Sequence, residues 1–175
     1  MSNRILQIGV IGSMADLNYS ANLVKLAQEV GAQIAKAGYT LVFGAEKDFD
    51  SLSTIAARSA VVAGGVTVGV TYDKGLRVFD PNSATIIIAT GLVRGGGREM
   101  VQSLSCDGII AISGGSGTLN ELAVAYQASI PAVVLGKTGW SGKLIGTYLD
   151  GRKRYKYESA STATDALTKL LKMVN

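Results

Sequence analysis

Asp107-Gly-Ile-Ile-Ala-Ile-Ser-Gly-Gly-Ser-Gly-Thr-Leu-Asn-Glu121 runs from an apolar stretch into a glycine-rich turn and on into a segment with helical spacing. Asp107–Ser113 shows no polar alternation, the pattern of a strand covered on both faces. Gly114–Thr118 forms the turn, and Leu119–Ser129 reads as a helix that stops at Ile130-Pro131. A strand, a glycine turn and a helix make the unit of a doubly wound α/β sheet.

The same alternation continues on both sides. Ile5–Ile11 is a short apolar strand that ends at Gly12-Ser13. Ala21–Ala37 places Leu23, Ala27, Val30 and Ile34 on one helical face, and Gly38 stands where a C′ glycine belongs. Tyr39–Phe43 is a strand, Leu52–Ala63 a helix stopped by Gly64-Gly65, and Val66–Val70 and Thr85–Ala89 are strands. Gly97–Ser105 is a short helix and Ala132–Leu135 a strand. A last helix starts at Thr162, where Thr162 and Asp165 have capping-box spacing. The expectation is a three-layer, Rossmann-like, mostly parallel sheet, with residues 1–175 as one domain. Ligands of such sheets bind at the carboxyl ends of the strands.

Composition narrows the chemistry. No histidine and a single cysteine, Cys106, exclude a Ser-His-Asp triad and the usual zinc sites, so no metal site is expected. Cys106 reads as a small buried hydrophobe. The N-terminus lacks signal-peptide architecture and no apolar run is long enough to span a bilayer, so a cytoplasmic protein without membrane contact is expected. The net charge of +4 concentrates only at Arg152, Lys153, Arg154 and Lys156. This cluster reads first as a solvated turn, which makes nucleic-acid binding the weakest alternative.

Three turns are candidates for holding phosphate. In the strongest, Gly114, Gly115, Ser116, Gly117 and Thr118 let backbone N–H groups converge at a helix start, with two hydroxyls beside them. Gly12 and Ser13 form a second turn, which lacks the spacing of the dinucleotide fingerprint. Gly95-Gly96-Gly97-Arg98 is the third. Gly136-Lys137-Thr138 is not a P-loop, because the glycine required five positions earlier is Pro131.

Arg98, Asp107 and Gly114-Gly115-x-Gly117-Thr118-x-x-Glu121 together resemble the Lonely Guy (LOG) phosphoribohydrolases, long mislabelled as lysine decarboxylases. The resemblance runs from about Arg4 to Gly136. Thr90-Gly91-Leu92 and Glu121–Leu135 are similar to the molybdenum-cofactor carrier branch. The carrier branch implies a small phosphorylated ligand held without chemistry: a bound nucleotide or a molybdopterin-type cofactor. The LOG branch implies, as the alternative, cleavage of the N-glycosidic bond of a nucleoside 5′-monophosphate, with Arg98 and Glu121 as the catalytic pair. Both imply a homodimer or higher homo-oligomer. On this reading phosphate lies on the N–H groups of Gly115–Thr118 and the base or pterin lies toward Gly12 and Ser13. Without the resemblance, Glu121 is a first-turn helix acid and Arg98 a surface cation. The chain departs from the family pattern in three places. Ser113 replaces a proline, Gln102 replaces a methionine, and Gly44–Leu52 replaces a second glycine loop with Glu46, Lys47, Asp48 and Asp50.

Overall fold

A computed structural model describes residues 4–174. Seven strands form one parallel sheet: β1 (Gln7–Gly12), β2 (Thr40–Gly44), β3 (Thr67–Thr71), β4 (Ile86–Ala89), β5 (Gly108–Ile112), β6 (Ala132–Leu135) and β7 (Glu158–Ala160). Their spatial order is β4-β3-β2-β1-β5-β6-β7, with every neighbouring pair parallel. The order reverses between β1 and β5, so a crevice opens beyond their carboxyl ends.

Helices cover both faces, which is why β5 and β6 are buried along their whole length. One layer holds α1 (Ala21–Lys36), α2 (Leu52–Val62) and α6 (Ala163–Val174), and the other holds α3 (Arg98–Leu104), α4 (Ser116–Gln127) and α5 (Gly139–Leu144). Ser20 caps α1 through the Leu23 N–H, and Ser51 caps α2 through the Thr54 N–H. The hydroxyl of Thr162 accepts from the Asp165 N–H at 3.1 Å, as the capping spacing predicts.

Several boundaries differ from the sequence reading. Helix α4 begins at Ser116, not Leu119, so Ser116, Gly117 and Thr118 are its first turn and not a separate loop. Glycine propensity argues against a helix there, but stacking on the sheet overrides it. Glu121 therefore sits in the second turn. Helix α5 and strand β7 have too few apolar residues to show periodicity, and neither was anticipated. No helix of the described residues is long and apolar enough to cross a membrane.

The basic cluster disperses onto internal partners. Arg152 pairs with Asp150, and Arg154 donates to Ser129 from its side chain and to the Tyr126 hydroxyl from its backbone. Lys156 lies over the Tyr148 ring. Asp107 stands at the end of the sheet opposite the crevice, where its carboxylate accepts from Arg4 and from the Gln7 N–H. The aspartate of the sequence motif thus ties β1 to the start of β5.

The tightest helix contact is α1 on α2. A Cβ at Gly31 would collide with the carbonyl oxygen and carbon of Ala56. Gly31→Ala is therefore expected to destabilise the fold by roughly 1–3 kcal/mol or more through overpacking. A lower urea midpoint at unchanged m-value is the measurement that checks it.

Candidate functional site

The crevice at the switch point is a cleft of about 410 Å³. One side is the first turn of α4. Gly115 is its N-cap in extended conformation, and no side chain caps the helix. The first N–H groups of a helix have no partner within it, so here they face the cleft with the positive end of the helix dipole. Gly115, Ser116, Gly117 and Thr118 line the cleft, and so does Gly12. Ser13 and Gly114 do not. The Ser13 hydroxyl accepts from the Gly114 N–H at 2.8 Å, which joins the β1 and β5 turns, and both residues face an adjoining cavity.

The opposite side is a charged cluster. Arg98, the first residue of α3, is only 4% exposed, which overturns the surface-cation reading. Its Nη1 lies 3.5 Å from Oε1 of Glu121, which is 6% exposed. α3 packs against α4, so the two residues meet although 23 positions separate them in the chain. Arg98 Nη2 donates to Glu46 Oε1 at 3.0 Å and also to the Tyr72 hydroxyl, while Nη1 donates to Gln102 Oε1. Glu46 follows β2 and also takes Arg94 Nη2 at 2.7 Å on its other oxygen. Tyr72 follows β3. Its hydroxyl donates to Glu99 Oε1 at 3.1 Å, and its ring centroid lies 4.2 Å from the Arg98 guanidinium carbon.

Room for this arrangement comes from Gly44. A Cβ there would fall on the Arg98 guanidinium and the Gln102 amide oxygen. Two buried atoms of the cluster, Arg98 Nε and Glu99 Oε2, have no hydrogen-bond partner among the described residues. Arg98 and Glu121 were read from sequence, and the structure brings them together. Tyr72, Arg94 and Glu99 were missed, and Glu46 was noted only as a charge in an atypical loop. The available signal was positional: Glu46 and Tyr72 each follow the carboxyl end of a strand, where ligands of this architecture bind.

Three carboxylates surround two guanidinium groups, so the charges cannot all be matched pairwise. Burial pushes Glu121 up to about 7, against the attraction of Arg98 and with further upward pressure from Glu99 and Glu46. Burial alone would lower Arg98, but Glu121, Tyr72 and Glu46 outweigh it and hold the guanidinium charged. Glu99 is also penalised by burial, yet backbone N–H groups, one of them that of Gly95, together with Arg98 hold it below the ordinary carboxylate range. Cys106 is raised by burial and is an inert packing group.

These shifts set a pH dependence. Glu121 is raised from 4.5 to about 7, so the stability it contributes is complete below the lower value and is lost as pH rises through the upper one. Glu99 and Asp107, held low, act in the opposite sense and only at more acid pH. Relative to Glu121→Gln, the wild-type protein is expected to lose on the order of 3 kcal/mol across that window. Urea melts of both proteins at about pH 5 and about pH 8 would show it, and parallel profiles would refute it.

The molybdenum cofactor binding protein of Rippkaea orientalis superposes with a TM-score of 0.83 at 27% identity, covering 99% of this chain and 100% of that one. The molybdenum cofactor carrier protein of Chlamydomonas reinhardtii superposes with a TM-score of 0.79 at 30% identity, covering 98% and 99%. The cytokinin riboside 5′-monophosphate phosphoribohydrolase of Mycobacterium tuberculosis is 38% identical over 108 residues, which is 61% of this chain and 55% of that protein. The chain thus spans about half the length of that enzyme. The model of the SLOG cluster4 family matches residues 5–166, which hold all seven strands of the sheet, and the chain belongs to that family.

Proposed function

We propose that this chain acts as a single domain that binds a small phosphorylated ligand, a nucleotide or a molybdopterin-type cofactor. The phosphate sits on the uncapped first turn of α4 and the rest of the ligand lies in the cleft. The observation that carries this reading is the uncapped helix start opening into a concave site of about 410 Å³. The similar carrier proteins, named for molybdenum cofactor, support it. The N–H groups of Gly115–Thr118 would hold phosphate oxygens, with the hydroxyls of Ser116 and Thr118 adding donors. The three carboxylates repel phosphate from the other end, so the ligand has one orientation: phosphate toward α4, hydrogen-bond donors toward Glu46, Glu99 and Glu121.

One observation favours a second reading, hydrolysis of a nucleoside 5′-monophosphate. Glu121 is poised near neutral pH beside Arg98. In its ionised form it can stabilise the positive charge that develops on the ribose as the glycosidic bond breaks. Water would then add to the sugar carbon while the base departs with a proton. Arg98 would hold the carboxylate in place and keep it partly ionised.

Incubating the protein with a panel of nucleoside monophosphates, and reading both free base and binding, separates the two. Binding without base release is the expected result for a carrier. Base release abolished by Glu121→Gln would establish the hydrolase. Thr118→Val should weaken phosphate-dependent binding about tenfold or more in either case, because a hydrogen bond to a charged group is lost. No binding of any phosphorylated ligand, molybdopterin included, would refute the proposal.

The homo-oligomer that we propose has an apolar surface available. Ile87 of edge strand β4 packs into the α1–α2 core, while Ile86 and Ile88 on the other face are half exposed. Light scattering is expected to give at least twice the 18.1 kDa of one chain, and Ile88→Glu is expected to reduce it toward that mass.

A further inference from the structure

A second cavity, of about 560 Å³, adjoins the cleft across Leu17 and Gly115, which line both. It opens at the carboxyl ends of β1, β5 and β6. Tyr19, Ser113, Thr138, Trp140 and Lys143 are among the side chains that line it.

Ser113 gives this cavity a hydrogen-bonding group. It is 7% exposed, and among the described residues its hydroxyl has no hydrogen-bond partner. The hydroxyl is not sealed from solvent, so it is free to bond a molecule that enters the cavity. Its backbone sits at φ 60°, a left-handed conformation that the proline of the family pattern could not adopt. This turn sends the hydroxyl toward Gly139, where a Cβ would lie 2.6 Å from it. The departure from proline therefore both permits the backbone and delivers the hydroxyl.

Trp140 supplies the planar wall. It is 41% exposed, and its backbone N–H donates to the Gly114 carbonyl at 2.9 Å, which fixes the start of α5 against the β5 turn. Lys143 Nζ lies 4.3 Å from the indole centroid. Stacking surface, a cation and a free hydroxyl thus face the same space. The charge distribution gives the direction. Glu46, Glu99 and Glu121 line the first cleft, Lys143 lines the second, and Gly115 at the start of α4 is common to both.

We propose that the ligand is a dinucleotide-type molecule, a nucleoside joined through a diphosphate to a second planar group. One half occupies the cleft, the diphosphate crosses the rim at Gly115 between α4 and Lys143, and the second half stacks on Trp140 beside Ser113. The inference rests on the phosphate reading of α4.

Calorimetric titration with AMP, ADP and diadenosine diphosphate tests it, since the three share one base and differ in phosphate and nucleoside count. The dinucleotide is expected to bind at least tenfold tighter than ADP. Trp140→Ala and Ser113→Gly, the second compatible with the left-handed backbone, should each erase most of that gain and leave AMP affinity within twofold. Equal affinity for ADP and the dinucleotide, with AMP binding intact, would overturn the second cavity alone. So would a gain untouched by both variants. No binding of any of the three would overturn the phosphate reading, and this inference with it.

Discussion

A charged guanidinium, that of Arg98, lies almost wholly out of water at the carboxyl end of a parallel sheet, and the surrounding structure is arranged around that fact. An isolated buried charge is prohibitive, so it must be met by opposite charge and by hydrogen bonds. Glu46 comes from the β2 turn, Tyr72 from the β3 turn, Gln102 from α3 itself and Glu121 from α4. Four separate segments must dock correctly before the cation is compensated. Gly44 has no side chain because the guanidinium occupies that space. The cluster is therefore a product of tertiary packing, and it holds the cleft in one shape.

The cleft has two electrical ends. At one, the unpaired N–H groups of α4 favour an anion. At the other, three carboxylates share two guanidinium groups, and burial, with Glu99 and Glu46 adding to it against the pull of Arg98, raises Glu121 to about 7. A proton on Glu121 relieves the imbalance, and an incoming hydrogen-bond donor would relieve it in the same way. The unpartnered oxygen of Glu99 and nitrogen of Arg98 lie in the same cluster. A molecule with phosphate at one end and donor groups at the other complements this polarity. Binding and hydrolysis draw on the same arrangement and differ only in whether Glu121 meets a reacting sugar carbon.

Much of the fold was legible along the chain. Continuous apolar runs such as Asp107–Ser113 show a strand buried on both faces, and the stripe from Leu23 to Ile34 shows a helix facing the sheet. The glycine pattern before Glu121 located the turn at the switch point. Helix α5 and strand β7 escaped, because Gly139–Leu144 and Glu158–Ala160 are too short and too polar to carry a period. The start of α4 was placed late because Ser116 and Gly117 are poor helix formers, held in the helix by the packing of Leu122 and Tyr126 beneath them.

By itself the sequence determined the layered α/β architecture and pointed to the carboxyl ends of the strands, while its resemblance to the LOG family singled out Arg98 and Glu121. The architecture follows from local periodicity, which survives in one dimension. Only the tertiary structure decided that Arg98 is buried, that Glu46, Tyr72 and Glu99 join it, that Asp107 serves the far end of the sheet, and that Ser113 opens toward a second cavity. Each of these depends on segments tens of residues apart being brought within hydrogen-bond distance by parallel strand pairing. No local pattern encodes which turn a parallel strand will place beside which.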